Sequence, residues 1–169
     1  MIIAVIGGDP APDHALAWAE AVGREIAQGG HMLICGGRGG VMEAACKGAT
    51  EAGGLTIGVL PDADRSQVNP YVRIPIVTGM GRARNLAIAL TADAVIAVDG
   101  GYGTLSEIAF ALQHGKPVAG LGTWRFESDT EAAAPIFRTE DPIEAVFWAI
   151  EAAKAVVAED DAAGPRPSV

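Results

Sequence analysis

Residues Ala94 to Glu107 read A-V-I-A-V-D-G-G-Y-G-T-L-S-E, and this stretch restricts the fold more than any other. The apolar run Ala94 to Val98 has the length and continuity of a strand buried on both faces, as in a parallel sheet. A glycine-rich turn follows at once, and then Leu105, Ile108, Ala109 and Leu112 recur at helical spacing. The unit is therefore strand, tight turn and helix. Gly100, Gly101 and Gly103 let the backbone approach a ligand without Cβ obstruction. Unpaired amides at the start of the helix point into the turn with the positive end of the helix dipole behind them. Such a turn suits an anion, most often a phosphate, with Tyr102 and Thr104 completing the ligand-facing string. Two structural readings compete. Three glycines also serve a plain tight reversal, and Thr104 followed three residues later by Glu107 is a capping box that would make Glu107 a cap rather than a catalyst.

The same alternation runs along the chain. Ile2 to Ile6 reads as a strand ended by Gly7-Gly8-Asp9-Pro10, with Gly8 assigned to the ligand side. A helix follows over Asp13 to Gln28, stopped by Gly29-Gly30. Met32 to Cys35 is the second strand. Gly36-Gly37-Arg38-Gly39-Gly40 then opens a second helix that runs to about Ala52. Two glycine turns on one sheet edge would meet at the carboxyl ends of the strands, where open α/β sheets bind ligands, so Gly37, Arg38, Gly39 and Gly40 join the candidate site. Arg38 fits an anion contact or a solvated position equally well.

Leu55 to Leu60 is the third strand and Val72 to Val77 the fourth, where Pro75 argues for a sheet edge. Arg82 and Arg84 fall in the first turn of a helix through Leu86, Ile88 and Leu90. Cations are unfavourable there unless solvated or paired with an anion. Pro117 to Leu121 and Pro135 to Phe137 supply a sixth and a seventh strand. Between them the loop Thr123 to Glu131 carries Trp124 and Phe126, which suit a pocket cover, a subunit contact or local core. Asp141-Pro142 suits the N-cap and first position of a last helix, apolar nearly all round from Ile143 to Val157. The tail from Ala158, with Gly164, Pro165 and Pro167, has the composition of a disordered segment.

The chain thus reads as α/β: a single Rossmann-like, doubly wound, mostly parallel sheet of six or seven strands, helices on both faces, over residues 1–157. A length of 169 residues suits one domain. A formal net charge of −9 with no basic run makes nucleic acid and anionic membranes poor partners, leaving a small phosphorylated ligand. With no signal peptide and no membrane-spanning run, a cytoplasmic protein is expected. Cys35 and Cys46 lack metal-ligand spacing and are expected as free, buried thiols, and no metal site is expected. The third glycine of G-x-G-x-x-G is missing, as are a Walker A lysine, H-E-x-x-H and G-x-S-x-G, so the common dinucleotide, metalloprotease and serine-hydrolase motifs are absent.

Gly100-Gly101-Tyr102-Gly103-Thr104-Leu105-Ser106-Glu107, Gly36-Gly37-Arg38-Gly39-Gly40-Val41-Met42 and Arg84 resemble the LOG family of cytokinin riboside 5′-monophosphate phosphoribohydrolases over about Ile2 to Leu121. That resemblance implies a Rossmann-like dimer, no required cofactor, and cleavage of a nucleoside 5′-monophosphate into base and ribose 5-phosphate, with Glu107 and Arg84 at the catalytic positions. Asp99 stands where the family has proline, and Asn85 where a lysine is usual. In these features the chain looks more like a sister group of short proteins that includes molybdenum cofactor carriers. That group implies carriage of a phosphorylated pterin in place of hydrolysis.

Overall fold

The computed structural model describes residues 1–126 and 135–163. Seven strands form one sheet: β1 (Ile2–Gly7), β2 (Met32–Cys35), β3 (Thr56–Leu60), β4 (Ile74–Val77), β5 (Ala94–Val98), β6 (Val118–Leu121) and β7 (Ile136–Arg138). Their order is β4-β3-β2-β1-β5-β6-β7, and every neighbouring pair is parallel. The sequence winds outward from β1 in one direction through β4, then resumes at β5 on the other side of β1. The crevice between β1 and β5 is therefore the topological switch point. Pro75 lies on the edge strand β4, where its missing N–H leaves no central ladder bond unmade.

Strand alternation divides the core. Ile3, Val5, Ala94, Ile96 and Leu121 face the helices α1 (Asp13–Gln28), α2 (Val41–Glu51) and α5 (Pro142–Ala163). Ala4, Ile6, Val95 and Ala97 face α3 (Arg84–Thr91) and α4 (Tyr102–Gln113). Both faces are covered, which is why these strands read as continuous apolar runs rather than alternating ones. Cys35 and Cys46 are buried free thiols whose sulfurs lie 3.4 Å apart. The Cys35 contact and then burial push the Cys46 thiol far up, while hydrogen bonds from Cys46 and from the Gly37 N–H draw Cys35 down.

Several boundaries differ from the sequence expectation for identifiable reasons. β4 begins at Ile74 rather than Val72, because Val72 N–H closes a turn onto the Asn69 carbonyl. A 3₁₀ turn, Gly81–Ala83, precedes α3, so Arg82 stands outside the α-helix and Arg84 opens it. Asp141 caps α5 as expected, accepting from the Ile143 and Glu144 amides. That helix continues past Val157 to Ala163. It is buried on one side only, through Ala145, Val146, Ala149 and Ala153, and Ile143, Phe147 and Val157 are exposed. Part of the loop through Glu131 and the tail from Gly164 lie outside the described residues. Among the described residues no helix is long and apolar enough to cross a membrane.

Helices α1 and α2 pack backbone against backbone. A Cβ on Gly23 would lie 1.9 Å from the Ala45 carbonyl oxygen, and one on Gly48 would lie 2.0 Å from that of Glu20. Because the obstructing atoms are backbone, a methyl group there separates the helices instead of displacing a side chain. Gly23→Ala should therefore destabilise the protein by about 1 to 3 kcal/mol, even though alanine is the better helix former. Urea denaturation measures this, and an unchanged midpoint would contradict the close crossing.

Candidate functional site

Three turns leave the carboxyl ends of β1, β2 and β5 side by side. Gly7 pairs in register with Val98, bringing the Gly7-Gly8 turn against Asp99-Gly100. The Gly8 carbonyl accepts the Val41 N–H at 3.0 Å, which ties the first turn to the start of α2. Gly40 makes this approach possible: its φ is 61°, and a Cβ would lie 2.2 Å from the Gly8 oxygen. Gly37, with φ 73°, packs on β3, where a Cβ would meet Leu60 and Gly58. The second glycine turn is thus built for close packing, and of the residues assigned to it only Arg38 lines the cavity described next.

That cavity, of about 430 Å³, opens at the switch point. Among the expected site residues it is lined by Gly8, Arg38, Arg84, Gly101, Gly103, Thr104 and Glu107. Gly37, Gly39, Gly40, Gly100 and Tyr102 do not line it. Gly39 lies beside the Asp9 carboxylate, Gly100 (φ 110°) packs on the Thr104 side chain, and the Tyr102 side chain is 79% exposed. Sequence reasoning did not assign Gly7, Asp9, Met42, Pro61, Asp62, Gly81, Arg82 or Asn85 to the site, yet these complete the wall. The arginines in the approach to α3 were the available signal, since cations at a helix start call for an anionic neighbour.

Helix α4 begins at Tyr102 with Gly101 as N-cap, and no side chain caps it. The amides of Tyr102, Gly103 and Thr104 therefore have no acceptor within the helix. A Cβ on Gly101 or on Gly103 would meet no atom within 4 Å, so both Cα atoms face open space. This start also overturns the capping-box reading. Thr104 is the third helical residue, not the cap, and Glu107 turns elsewhere.

Glu107 is buried, and its Oε1 accepts from Arg84 Nη1 at 3.2 Å. The same Nη1 donates to Asn85 Oδ1 at 2.7 Å, and Asn85 Nδ2 donates to Ser106 Oγ at 3.0 Å. Arg84 also packs on Gly36, where a Cβ would lie 2.3 Å from its Nη2, and its Nε is buried without a partner among the described residues. Burial raises the Glu107 carboxyl from its ordinary 4.5 to about 7, the attraction of Arg84 offsetting only part of the desolvation. Across the cavity Arg38 Nη2 pairs with Asp62 at 2.6 Å, while its Nε is buried without a partner among the described residues. Arg82 makes no ion pair among the described residues. No cluster of three metal-ligating side chains occurs among them either.

Asp99 has φ 50°, a left-handed backbone that proline cannot adopt. The turn therefore differs in conformation from one carrying proline at that position. The carboxylate stands beside Gly8, where a Cβ would lie 3.6 Å from its Oδ2.

The chain is 40% identical to the molybdenum cofactor binding protein of the phototrophic bacterium Rippkaea orientalis, with a TM-score of 0.79 over 92% of this chain and 96% of that one. Against the molybdenum cofactor carrier protein of Chlamydomonas reinhardtii the identity is 40% and the TM-score 0.79, over 91% and 98%. An uncharacterized protein of Archaeoglobus fulgidus is 50% identical over 121 residues, 72% of this chain and 80% of that protein. These relatives lend no support to the phosphoribohydrolase side of the resemblance. With the profile of the SLOG cluster4 family matching residues 1–155, the chain belongs to that family.

Proposed function

We propose that the protein binds and carries a phosphate-bearing pterin of the molybdenum cofactor kind. The observation that carries this reading is the open cradle at the start of α4: free amides at Tyr102, Gly103 and Thr104 beside two glycine Cα faces turned to a cavity of about 430 Å³. A phosphate monoester suits it, because helix-terminal amides and the dipole favour an anion and Arg82 adds a positive charge nearby. The cavity size is in the range of small-molecule sites. Likeness to a carrier and to a cofactor binding protein at 40% identity supports the same ligand. In this reading the pterin is cargo, and no resident cofactor is invoked.

A second reading, hydrolysis of a nucleoside 5′-monophosphate, draws on Glu107 and Arg84, a buried acid and cation lining the same cavity. A carboxyl poised near neutrality can activate water or stabilise an oxocarbenium-like ribose while the arginine orients the leaving group. Carriage needs only the cradle.

The exposed apolar side chains Ile143, Phe147 and Val157 on α5 also support self-association, most simply as a homodimer. Sedimentation at micromolar concentration should give twice the chain mass, and a monomer would count against this reading.

The carrier reading is tested by oxidising the protein purified from cells and looking for pterin fluorescence, alongside calorimetric titration with ribose 5-phosphate. Gly103→Ala is the informative variant. It places a methyl group in the open cradle at a helical position where alanine is favoured by about 1 kcal/mol, so thermal stability should hold or rise while ribose 5-phosphate binds at least tenfold more weakly. Equal affinity in the variant removes the cradle from consideration.

Glu107 separates the two readings through pH. A carboxyl raised to about 7 gives its greatest stability below about 4.5 and loses it as pH rises toward 7. Glu107→Gln is neutral throughout, so, whatever the lost ion pair with Arg84 costs it at a given pH, its stability relative to the wild type should rise between pH 5 and pH 8 by up to about 3 kcal/mol in denaturant titrations. If the enzyme reading holds, the same variant should lower base release by roughly a hundredfold. A wild type that releases no base from purine nucleoside monophosphates ends that reading.

A further inference from the structure

We infer that Thr123, Trp124 and Arg138 form a strap that aims the anion-binding amides of the glycine turn, and so act as positioning residues for the phosphate site. The inference rests on the phosphate reading above. The Thr123 hydroxyl donates to the Asp99 carbonyl at 2.7 Å, and the Trp124 indole N–H donates to the Gly101 carbonyl at 3.1 Å. Arg138, on β7, holds the strap from behind by donating to the Thr123 and Trp124 carbonyls. The Trp124 ring also lies 5.7 Å from that of Tyr102, tilted by 35°.

Neither Thr123 nor Trp124 is needed to complete secondary structure. Asp99 N–H already makes the last bond to β6, at the Leu121 carbonyl, and the Gly101 carbonyl already accepts the helical bond from Leu105 N–H at 3.0 Å. The two added bonds fix the planes of the Asp99–Gly100 and Gly101–Tyr102 peptides. A trans peptide is planar with its carbonyl and N–H on opposite sides. Holding the two oxygens toward the strap therefore turns the Gly100 and Tyr102 N–H groups away from it. The Tyr102 amide is the first of α4.

Such anchoring matters most where the backbone is least restrained. Gly100 has φ 110° and Gly101 has no side chain, so both peptides can rotate at little steric cost. Asp99, at φ 50°, occupies the left-handed region, which is uncommon outside glycine but better tolerated by aspartate than by most residues, and the Thr123 bond holds its carbonyl there. Hydrogen bonding at a carbonyl also polarises its peptide, which strengthens the N–H as a donor.

The test is calorimetric titration of ribose 5-phosphate into the wild type, Thr123→Val and Trp124→Phe, with melting temperatures recorded in parallel. Thr123→Val keeps the shape and removes the hydroxyl, while Trp124→Phe keeps an aromatic ring beside Tyr102 and removes the N–H. Both should weaken binding about tenfold in proteins that remain folded. A strap that only supports the fold would lower the melting temperature and leave the affinity of the folded protein unchanged, which would overturn the inference. In the ¹⁵N spectrum of the wild type, which has three tryptophans, the Trp124 indole resonance should shift on saturation with ribose 5-phosphate. An unmoved resonance overturns the inference even if a variant fails to fold. A wild type that does not bind ribose 5-phosphate ends the phosphate reading and the strap with it, whereas binding of equal strength in all three proteins ends the strap alone.

Discussion

An uncapped helix end is the constraint on which the site depends. Helices α1, α2, α3 and α4 all lack a side-chain cap, and α4, with Gly101 at the N-cap, differs in the open space over Gly101 and Gly103, where a Cβ would meet no atom within 4 Å. The unmet donors stand at the switch point of a sheet whose central strands, β1 and β5, are wholly covered by helices. They therefore face the crevice rather than bulk solvent on all sides. Neighbouring turns are packed to keep that crevice in place: Gly40 touches the Gly8 carbonyl, and Gly36 receives the Arg84 guanidinium. Close packing in the second turn and open space in the third are complementary uses of the same residue type.

The Arg84–Glu107 pair links the two helices on the other face of the sheet. A buried pair of this kind contributes little net stability, since desolvation consumes most of the attraction, but it resists loss of either partner. Asn85 and Ser106 extend the connection, with Ser106 Oγ and Asn85 Nδ2 both reaching the Gly103 carbonyl, at 2.7 and 3.4 Å. The Gly103 peptide is thereby held from the α3 side while the Gly101 peptide is held by Trp124 on the β6 side. The cradle amides lie between two sets of fixed carbonyls, an arrangement that presents donors to a ligand without reorganisation.

Much of this was legible in the sequence, because buried parallel strands and glycine turns leave strong local signals. α1, β2 and β5 match their expected spans residue for residue, and all seven strands fall where apolar runs meet turn residues. The site was legible in part. Glu107 and Arg84 could be placed together through resemblance, yet the capping box misled, since Thr104 and Glu107 have the right spacing but α4 starts three residues earlier than that motif requires. Gly37, Gly39 and Gly40 looked like ligand residues because a glycine that accommodates a neighbouring backbone and one that accommodates a ligand are the same letter. What distinguishes them is the atom a Cβ would meet, which belongs to the tertiary structure. Asp62, the partner of Arg38, lies 24 positions away in a loop without periodicity, so no local pattern could announce it.

The chemistry demanded of the cavity differs between the two functional readings in a way that these residues already express. A carrier gains from binding its cargo tightly in the ground state, whereas an enzyme gains only from contacts that strengthen in the transition state. In the proposed site, amides at Tyr102, Gly103 and Thr104 would hold a phosphate equally well before and after any bond is broken, so they would serve binding uniformly. Glu107 and Arg84 are the groups that could discriminate, and they are paired with each other, with burial raising the Glu107 carboxyl from its ordinary value. A protonated acid stabilises a cationic ribose far less than a carboxylate does. A cleaving role would therefore require Glu107 to ionise toward the ribose or to act as a proton donor to the leaving base, whereas the proposed holding role places no demand on its charge.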